Sequence, residues 1–244
     1  MTLHRALSPR LGALLALSTA LSLGAGLAAA QPAAERADAL DAPRQDSPVR
    51  RVAAQVQAFY DQTDTLQARF RQLHYHRLYD RRQSASGRLV LDKPGRLRFD
   101  YEGGKVFVSD GRFLTAYEPG EEGAPGQYVK SPVGEDAIPG AFAFLTGEGR
   151  LDRDYTLRLL DADAWRWDGA VLELRPRRPD PQVRRVVLYV DGDPRRAGVV
   201  HRIFVQDHEG NRNLFAFHRM RFNRDVSEGR FAFQPPRGAR RIQR

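Results

Sequence analysis

A chain of 244 residues, 41% hydrophobic and 28% charged, is long enough to bury one substantial core. It contains no cysteine, which excludes disulfides, thiolate catalysis and cysteine metal sites. A net charge of +9 points to nucleic acid, an anionic membrane surface, an acidic protein partner or simply a solvated basic surface.

The first thirty residues have the three parts of an export signal. "MTLHRALSPR" is a short basic region, "LGALLALSTALSLGAGL" is apolar, and "AAAQ" closes it with small residues. Cleavage is expected between Ala30 and Gln31. No later stretch is apolar over the roughly eighteen residues that a membrane span needs. The signal also ends without a cysteine on which lipid could be attached, so an exported, unlipidated protein is expected. Gln31 to Ser47 then reads as a flexible polar leader, with a single domain over 48–244.

Pro48 stands where a helix can begin, because its missing N–H is not needed in the first turn. Behind it Val49, Val52, Val56 and Phe59 fall at helical spacing and predict an amphipathic helix with one apolar stripe. The period then changes to two. Leu66, Ala68 and Phe70 alternate with Gln67, Arg69 and Arg71, as on a strand with one wet face. "LHYHRLYD" shifts that phase, which implies a bulge or bend. A meander follows through Leu89 and Leu91, Leu97 with Phe99 and Tyr101, Val106 and Val108, and Phe113 to Tyr117. Its separators "KPG", "EGG", "SDG" and "EPG" supply the glycine or proline of tight reversals. Connections this short join antiparallel neighbours.

Residues 118–139 read as a long irregular loop carrying a short edge strand, "GQYVKS". Ile138, Phe142 and Leu145 form one face of a short helix ending near Gly147. Strands are expected again at "DYTLRLLD", "WRWDG", "AVLELRP", "VRRVVLYVD", on both sides of "DHEGN", and at "GRFAFQPP". Several of these are apolar on both faces. Strict alternation sends Phe215 and Phe217 one way and Leu214, Ala216, Met220 and Phe222 the other, and opposes Phe107 to Val106 and Val108. That pattern fits either a curled sheet with an apolar interior or an ordinary sandwich or closed barrel.

Few residues invite chemistry. His74 and His76 share a strand face, and His201 or His218 is available as a third ligand, but nothing in the spacing requires zinc. His208 sits between Asp207 and Glu209 with no serine beside it. Gly210 and Asn211 are expected to supply unusual backbone angles for a turn there. Gly-x-Ser-x-Gly, Walker and paired-histidine motifs are absent. The basic runs lack interleaved aromatic residues, so nucleic acid is not an expected partner. No catalytic residue, metal or cofactor is assigned.

The order and spacing of "LQARFRQ", "GRLVLDKPGRLRFDY", "VFVSDGRFLTAYEP", "VLYVD", "IFVQDHEGNRNLFAFHRMRFN" and "FAFQPPRG" resemble the periplasmic outer-membrane lipoprotein carrier family, over about Val49 to Gly238. The resemblance implies a mainly β fold with α-helix: a strongly curved, incompletely closed antiparallel β-barrel covered by a helical lid. It implies a monomeric periplasmic carrier, not an enzyme. Such a carrier takes acylated lipoproteins from an inner-membrane lipoprotein-releasing ABC transporter and delivers them to an outer-membrane lipoprotein receptor. The basic surface adds an anionic membrane as another delivery target, with Arg177, Arg178, Arg184 and Arg185 as its candidate contacts. A sensor of mislocalised lipoproteins and a carrier of another lipid or glycolipid stand as alternatives. Carried over by motif, the acyl-chain cavity is expected to draw on Phe70, Leu89, Leu91, Leu97, Phe99, Val106, Val108, Phe142, Phe144, Leu145, Leu214, Ala216 and Met220. Where the family has an arginine before proline that latches the lid, this chain has Lys93, with Arg96 and Arg98 as nearby substitutes.

Overall fold

A computed structural model describes residues 47–121, 124–133, 143–146 and 149–242. The signal-like segment, the leader up to residue 46, Ile138 and Phe142 lie outside the described residues.

The first helix, α1, spans Pro48–Asp61, with Pro48 in its first turn as expected. It buries Ala53, Val56, Gln57 and Tyr60, while Val49, Val52 and Phe59 pack half-buried beside them. The inward stripe is therefore turned by about one residue from the one the valines suggest. The helix ends where the Thr63 hydroxyl donates to the Phe59 carbonyl at 2.8 Å. Two one-turn helices, α2 (Ala143–Thr146) and α3 (Leu151–Asp154), come later.

Among the described residues twelve strands form one sheet. They are β1 (Thr65–His76), β2 (Arg81–Asp92), β3 (Arg96–Tyr101), β4 (Val106–Asp110), β5 (Phe113–Glu118) and β6 (Gln127–Pro132) in the first half. The second half adds β7 (Tyr155–Leu160), β8 (Gly169–Pro176), β9 (Arg185–Asp191), β10 (Val200–Gln206), β11 (Arg212–Phe222) and β12 (Arg240–Arg241). Their order is β12-β6-β5-β4-β3-β2-β1-β11-β10-β9-β8-β7. Every pairing is antiparallel except β12 with β6. The two halves are joined where β1 lies against β11, from Leu66 opposite Phe222 to Tyr75 opposite Arg212. The strand expected at "GQYVKS", residues 126–131, forms as β6, but β12 pairs along its free side, so it is not the edge of the sheet.

The sheet curls strongly but does not close, since β12 and β7 end the order without pairing to each other. Leu97 and Phe99 on β3 share a buried cluster with Leu172 and Leu174 on β8, six strands away. On a flat sheet at ~4.8 Å per strand those residues would stand roughly 29 Å apart. Ala53, Val56 and Tyr60 of α1 complete the same cluster.

Two expected strands are absent. In "WRWDG" the backbone turns instead, with Arg166 at φ 49, and this places Trp165 and Trp167 against Tyr189. "GRFAFQPP" forms a short 3-10 turn at Glu228–Phe231 followed by irregular chain. That segment lies across the outer face of the sheet, where Phe231 is buried with Val90, Val106, Val108 and Tyr117.

The C-terminal segment is pinned by Arg98, whose guanidinium donates to the carbonyls of Arg230 at 2.9 Å and Ala232 at 3.2 Å and pairs with Asp100 at 2.8 Å. Hydrogen bonds from a charged donor contribute about 1.5–3 kcal/mol each at most. Arg98→Ala is thus expected to cost about 2 kcal/mol. The loss should be local: amide exchange at Val226–Phe233 speeds up well before exchange in β1 and β2. Uniform acceleration across the sheet would contradict this pinning role.

Candidate apolar binding face

The inner face is built around Phe70 on the central strand β1. Its ring lies 5.2 Å from Phe99, 5.0 Å from Tyr101 and 6.1 Å from Phe215 in edge-on and tilted contacts. Such geometries suit the ring quadrupole. Gly87, directly opposite Phe70 on β2, makes the space: a β-carbon there would stand 2.8 Å from the Phe70 ring and 2.1 Å from the Asp100 carbonyl oxygen. Around this centre Leu66, Leu89, Leu91 and Leu97 are buried, and Phe107, Met220 and Phe222 are half-buried against them. The half-buried apolar positions continue on the other side of the curl at Leu157, Leu159, Ala170 and Val205, and on α1 at Val49, Val52 and Phe59. The inward column of β1 becomes polar beyond Phe70, at Gln72, His74 and His76, where Gln72 donates to Asn213 at 2.9 Å.

The structure brings together seven of the thirteen expected cavity residues. Phe70, Leu89, Leu91, Leu97, Phe99 and Leu145 belong to the inner cluster, and Met220 packs on it. Val106 and Val108 do not: they point to the outer face, under Phe231. Leu214 is also on the outer side, against Val171, Val187 and Tyr189, with the two tryptophans in the same cluster. Ala216 is half-buried and belongs to no apolar cluster. Phe142 and the side chain of Phe144 lie outside the described residues.

The misplacement on β11 has a physical cause. Strict alternation would part Met220 and Phe222 from Phe215 and Phe217, but Arg219 has φ 53. The register with β1 slips there, between Arg69 opposite His218 and Gln67 opposite Arg221. One extra residue at such a bulge reverses the phase. Phe215, Phe217, Met220 and Phe222 therefore share the inner face.

Of the three expected latch residues, Lys93 touches the helix. Its ammonium donates to the Tyr60 carbonyl at the end of α1, where the helix dipole favours a cation. Burial pushes the Lys93 pKa down, against the opposing pull of Asp61 and Asp64. Arg96 pairs with Asp92 at 2.7 Å and lies over the Phe231 ring. Together with Arg98 it serves the outer C-terminal segment, not α1. The assignment of those two arginines to a lid latch is corrected accordingly.

"DHEGN" is a turn built by its own side chains. The Asp207 carboxylate accepts from the Asn211 backbone N–H and from Asn211 Nδ2, both at 2.8 Å. Gly210 has the left-handed backbone, φ 86; Asn211, expected to share that role, contributes through its side chain. His208 Nε2 is 2.8 Å from the Asp180 carbonyl. The His74 and His76 rings are 4.5 Å apart, and among the described residues no three histidine or carboxylate side chains are placed to hold a metal ion.

The sequence model described as "Outer membrane lipoprotein carrier protein LolA" matches residues 61–234. An outer-membrane lipoprotein carrier protein of Chromobacterium violaceum is 29% identical over 84% of this chain and 92% of its own length. The protein of the same name in Methylobacillus flagellatus is 26% identical over 75% of this chain and 85% of its own. Among solved structures, a LolA superfamily protein of Nitrosomonas europaea aligns with a TM-score of 0.43 at 14% identity, covering 76% of this chain and 97% of that one.

Proposed function

The chain belongs to the LolA family of outer membrane lipoprotein carrier proteins, and from that membership we propose that it is exported by its N-terminal signal and ferries acylated lipoproteins across the periplasm. It accepts them from an inner-membrane ABC transporter and releases them to an outer-membrane receptor. The observation that carries this reading is the continuous inner face of Phe70, Leu89, Leu97, Phe99 and Phe215, bordered by half-buried Phe107, Met220 and Phe222 and covered by α1.

The energetics fit such a task. Burying one methylene is worth roughly 0.8 kcal/mol, so an acyl chain of about fifteen carbons represents on the order of 12 kcal/mol. Free passage through water is then prohibitive, whereas exchange between two apolar hosts is close to balanced. No bond is made or broken, so the protein needs a surface that opens and not a catalytic group. Lys93 supports a way to open it, because one ammonium on the Tyr60 carbonyl ties the β2–β3 turn to the end of α1. We assign the working carrier to the single domain 48–244, acting as a monomer behind the polar leader 31–47.

Mass spectrometry of the protein purified from its own cell envelope tests this. A bound triacylated lipoprotein is the expected result. A non-protein lipid in its place would move the assignment to another amphiphile, and release of free acyl chains from a labelled lipopeptide would overturn the non-catalytic reading.

A further inference from the structure

The outer face of the sheet is covered at both sides and bare in the middle. The C-terminal segment covers Val90, Val106 and Val108, and Trp165 and Trp167 cover the β8–β10 side. Between them, on β2, β1 and β11, stand exposed Arg69, Arg71, Arg88 and Arg221. All four point outward, since their strand neighbours Ala68, Phe70, Leu89 and Phe222 point in.

These arginines are arranged against folding stability. Arg69 directly faces Arg88 across the β1–β2 pair, and like charges directly opposed on a sheet repel. Among the described residues none of the four makes a side-chain hydrogen bond, ion pair or ring contact. The carboxylate directly opposite Arg88, Asp100, is already paired with Arg98 and Arg230. Elsewhere on this outer face arginines stack on aromatic rings, as Arg82 and Arg212 do on Tyr75, or are gathered by a carboxylate. Buried Glu173, 2% exposed, gathers Arg185 at 3.0 Å, Arg158 at 3.2 Å and Arg175 at 3.3 Å.

Two of these three strands, β1 and β2, meet at a reversal with exposed apolar side chains. Leu78 and Tyr79 at the β1–β2 reversal are 82% and 73% exposed, and Leu73, among the outward residues of β1, is 42% exposed. The reversal is held in place: the Arg77 backbone N–H donates to Asn211 Oδ1 and the Tyr75 hydroxyl to Asp80 Oδ1, both at 3.0 Å.

We propose that this bare strip is a docking surface for an anionic phospholipid bilayer, with Arg69, Arg71, Arg88 and Arg221 meeting headgroup phosphates and Leu78 and Tyr79 entering the interface. A cluster of cations beside a few exposed apolar residues is the two-part composition of reversible membrane attachment, and tyrosine favours the headgroup level. An acidic protein partner fits less well, because a protein interface is anchored by residues packed near its centre and shielded from water, and here the most exposed apolar side chains, Leu78 and Tyr79, stand at one end of the strip. Mobile lipid headgroups need no complementary shape. Docking through the outer face leaves the inner face free, so this inference does not depend on what the inner face holds.

Flotation of the full exported chain with phosphatidylethanolamine vesicles, with and without phosphatidylglycerol, decides the matter. Binding should require phosphatidylglycerol and weaken with salt. Each arginine near the surface is worth about fivefold in affinity, so Arg69→Gln with Arg88→Gln and Arg221→Gln should lower it about a hundredfold. Leu78→Ser with Tyr79→Ser should lower it further. Arg69→Gln alone relieves repulsion at an exposed site, so its melting temperature should not fall, and it should still lose about fivefold in binding. Equal binding to both vesicle types, wild-type binding by the triple variant, or binding to an acidic protein column but not to phosphatidylglycerol would overturn the proposal. Lipoprotein capture measured without vesicles reports separately on the inner face.

Discussion

Phe70→Ala is expected to lower the free energy of unfolding by about 3–5 kcal/mol, the range for removing a buried aromatic ring. For a domain of this size each kcal/mol shifts the melting temperature by roughly 2–4 °C, so the fall should be about 6–20 °C. Phe70 is 0% exposed and touches ring edges on β3 and β11 as well as the backbone of β2. The wall cannot collapse to fill the gap from the Gly87 side, because Gly87 has no side chain to offer and any added β-carbon there meets the Asp100 carbonyl oxygen at 2.1 Å. Phe70→Leu keeps most of the volume and should cost less than half as much. Urea unfolding of the two variants beside the parent checks both numbers. A loss under about 1 kcal/mol for the alanine variant would mean that the ring is not the centre of the inner face.

That centre was readable in part because Phe70 lies on a strand with one wet face, where Gln67, Arg69 and Arg71 fix which side is inside. The same reasoning failed on β4, where Val106, Phe107 and Val108 are all apolar and alternation cannot say which set faces in. What decides it is the C-terminal segment: Phe231 packs on the valines and leaves Phe107 to the interior. Nor could alternation place the end of β11, since its phase depends on a non-glycine residue, Arg219, adopting φ 53. The meander from β2 to β5 was legible from its reversals, because glycine and proline act locally. "WRWDG" and "GRFAFQPP" misled for the opposite reason. Their apolar residues alternate like strands, yet they serve as covers laid across the outside of the sheet, and a cover obeys only the surface beneath it.

This division explains how a sheet can be apolar on both sides without aggregating. Apart from Leu73 on β1, the outer face is covered where it is apolar, by Phe231 with Phe233 at one side and by Trp165 with Trp167 at the other. Where it is uncovered it carries arginine. Exposed unpaired strands invite pairing with other chains, and β7 and β12 meet that risk differently: β12 is two residues long and consists of Arg240 and Arg241, while β7 carries exposed Thr156 and Arg158 among its apolar residues. The inner face keeps a half-buried aromatic and aliphatic edge beside α1, where Phe59 meets Phe222 edge-on at 4.9 Å.

How firmly α1 sits there is set by a glycine. Gly198, in the β9–β10 connection, has φ 88, and a β-carbon on it would stand 2.3 Å from the Gln55 carbonyl oxygen and 2.7 Å from Phe59 Cβ, both on α1. Two residues on, Val200 begins β10 with its backbone N–H donating to the Tyr60 hydroxyl at 3.3 Å. Gly198→Ala therefore has two costs: about 1–2 kcal/mol for a left-handed alanine and a further 1–3 kcal/mol for overpacking against a helix backbone that cannot yield. Gly238→Ala separates them. Gly238 has φ 84 with nothing within 4 Å of its added β-carbon, so that variant should lose the backbone part alone. The difference between the two, read by urea unfolding, measures the seat of α1. It should be accompanied by faster proteolysis within Pro48–Asp61 for Gly198→Ala only. Equal losses for both glycines would mean that the β9–β10 connection does not hold the helix, and that Lys93 on the Tyr60 carbonyl carries more of its attachment than the packing does.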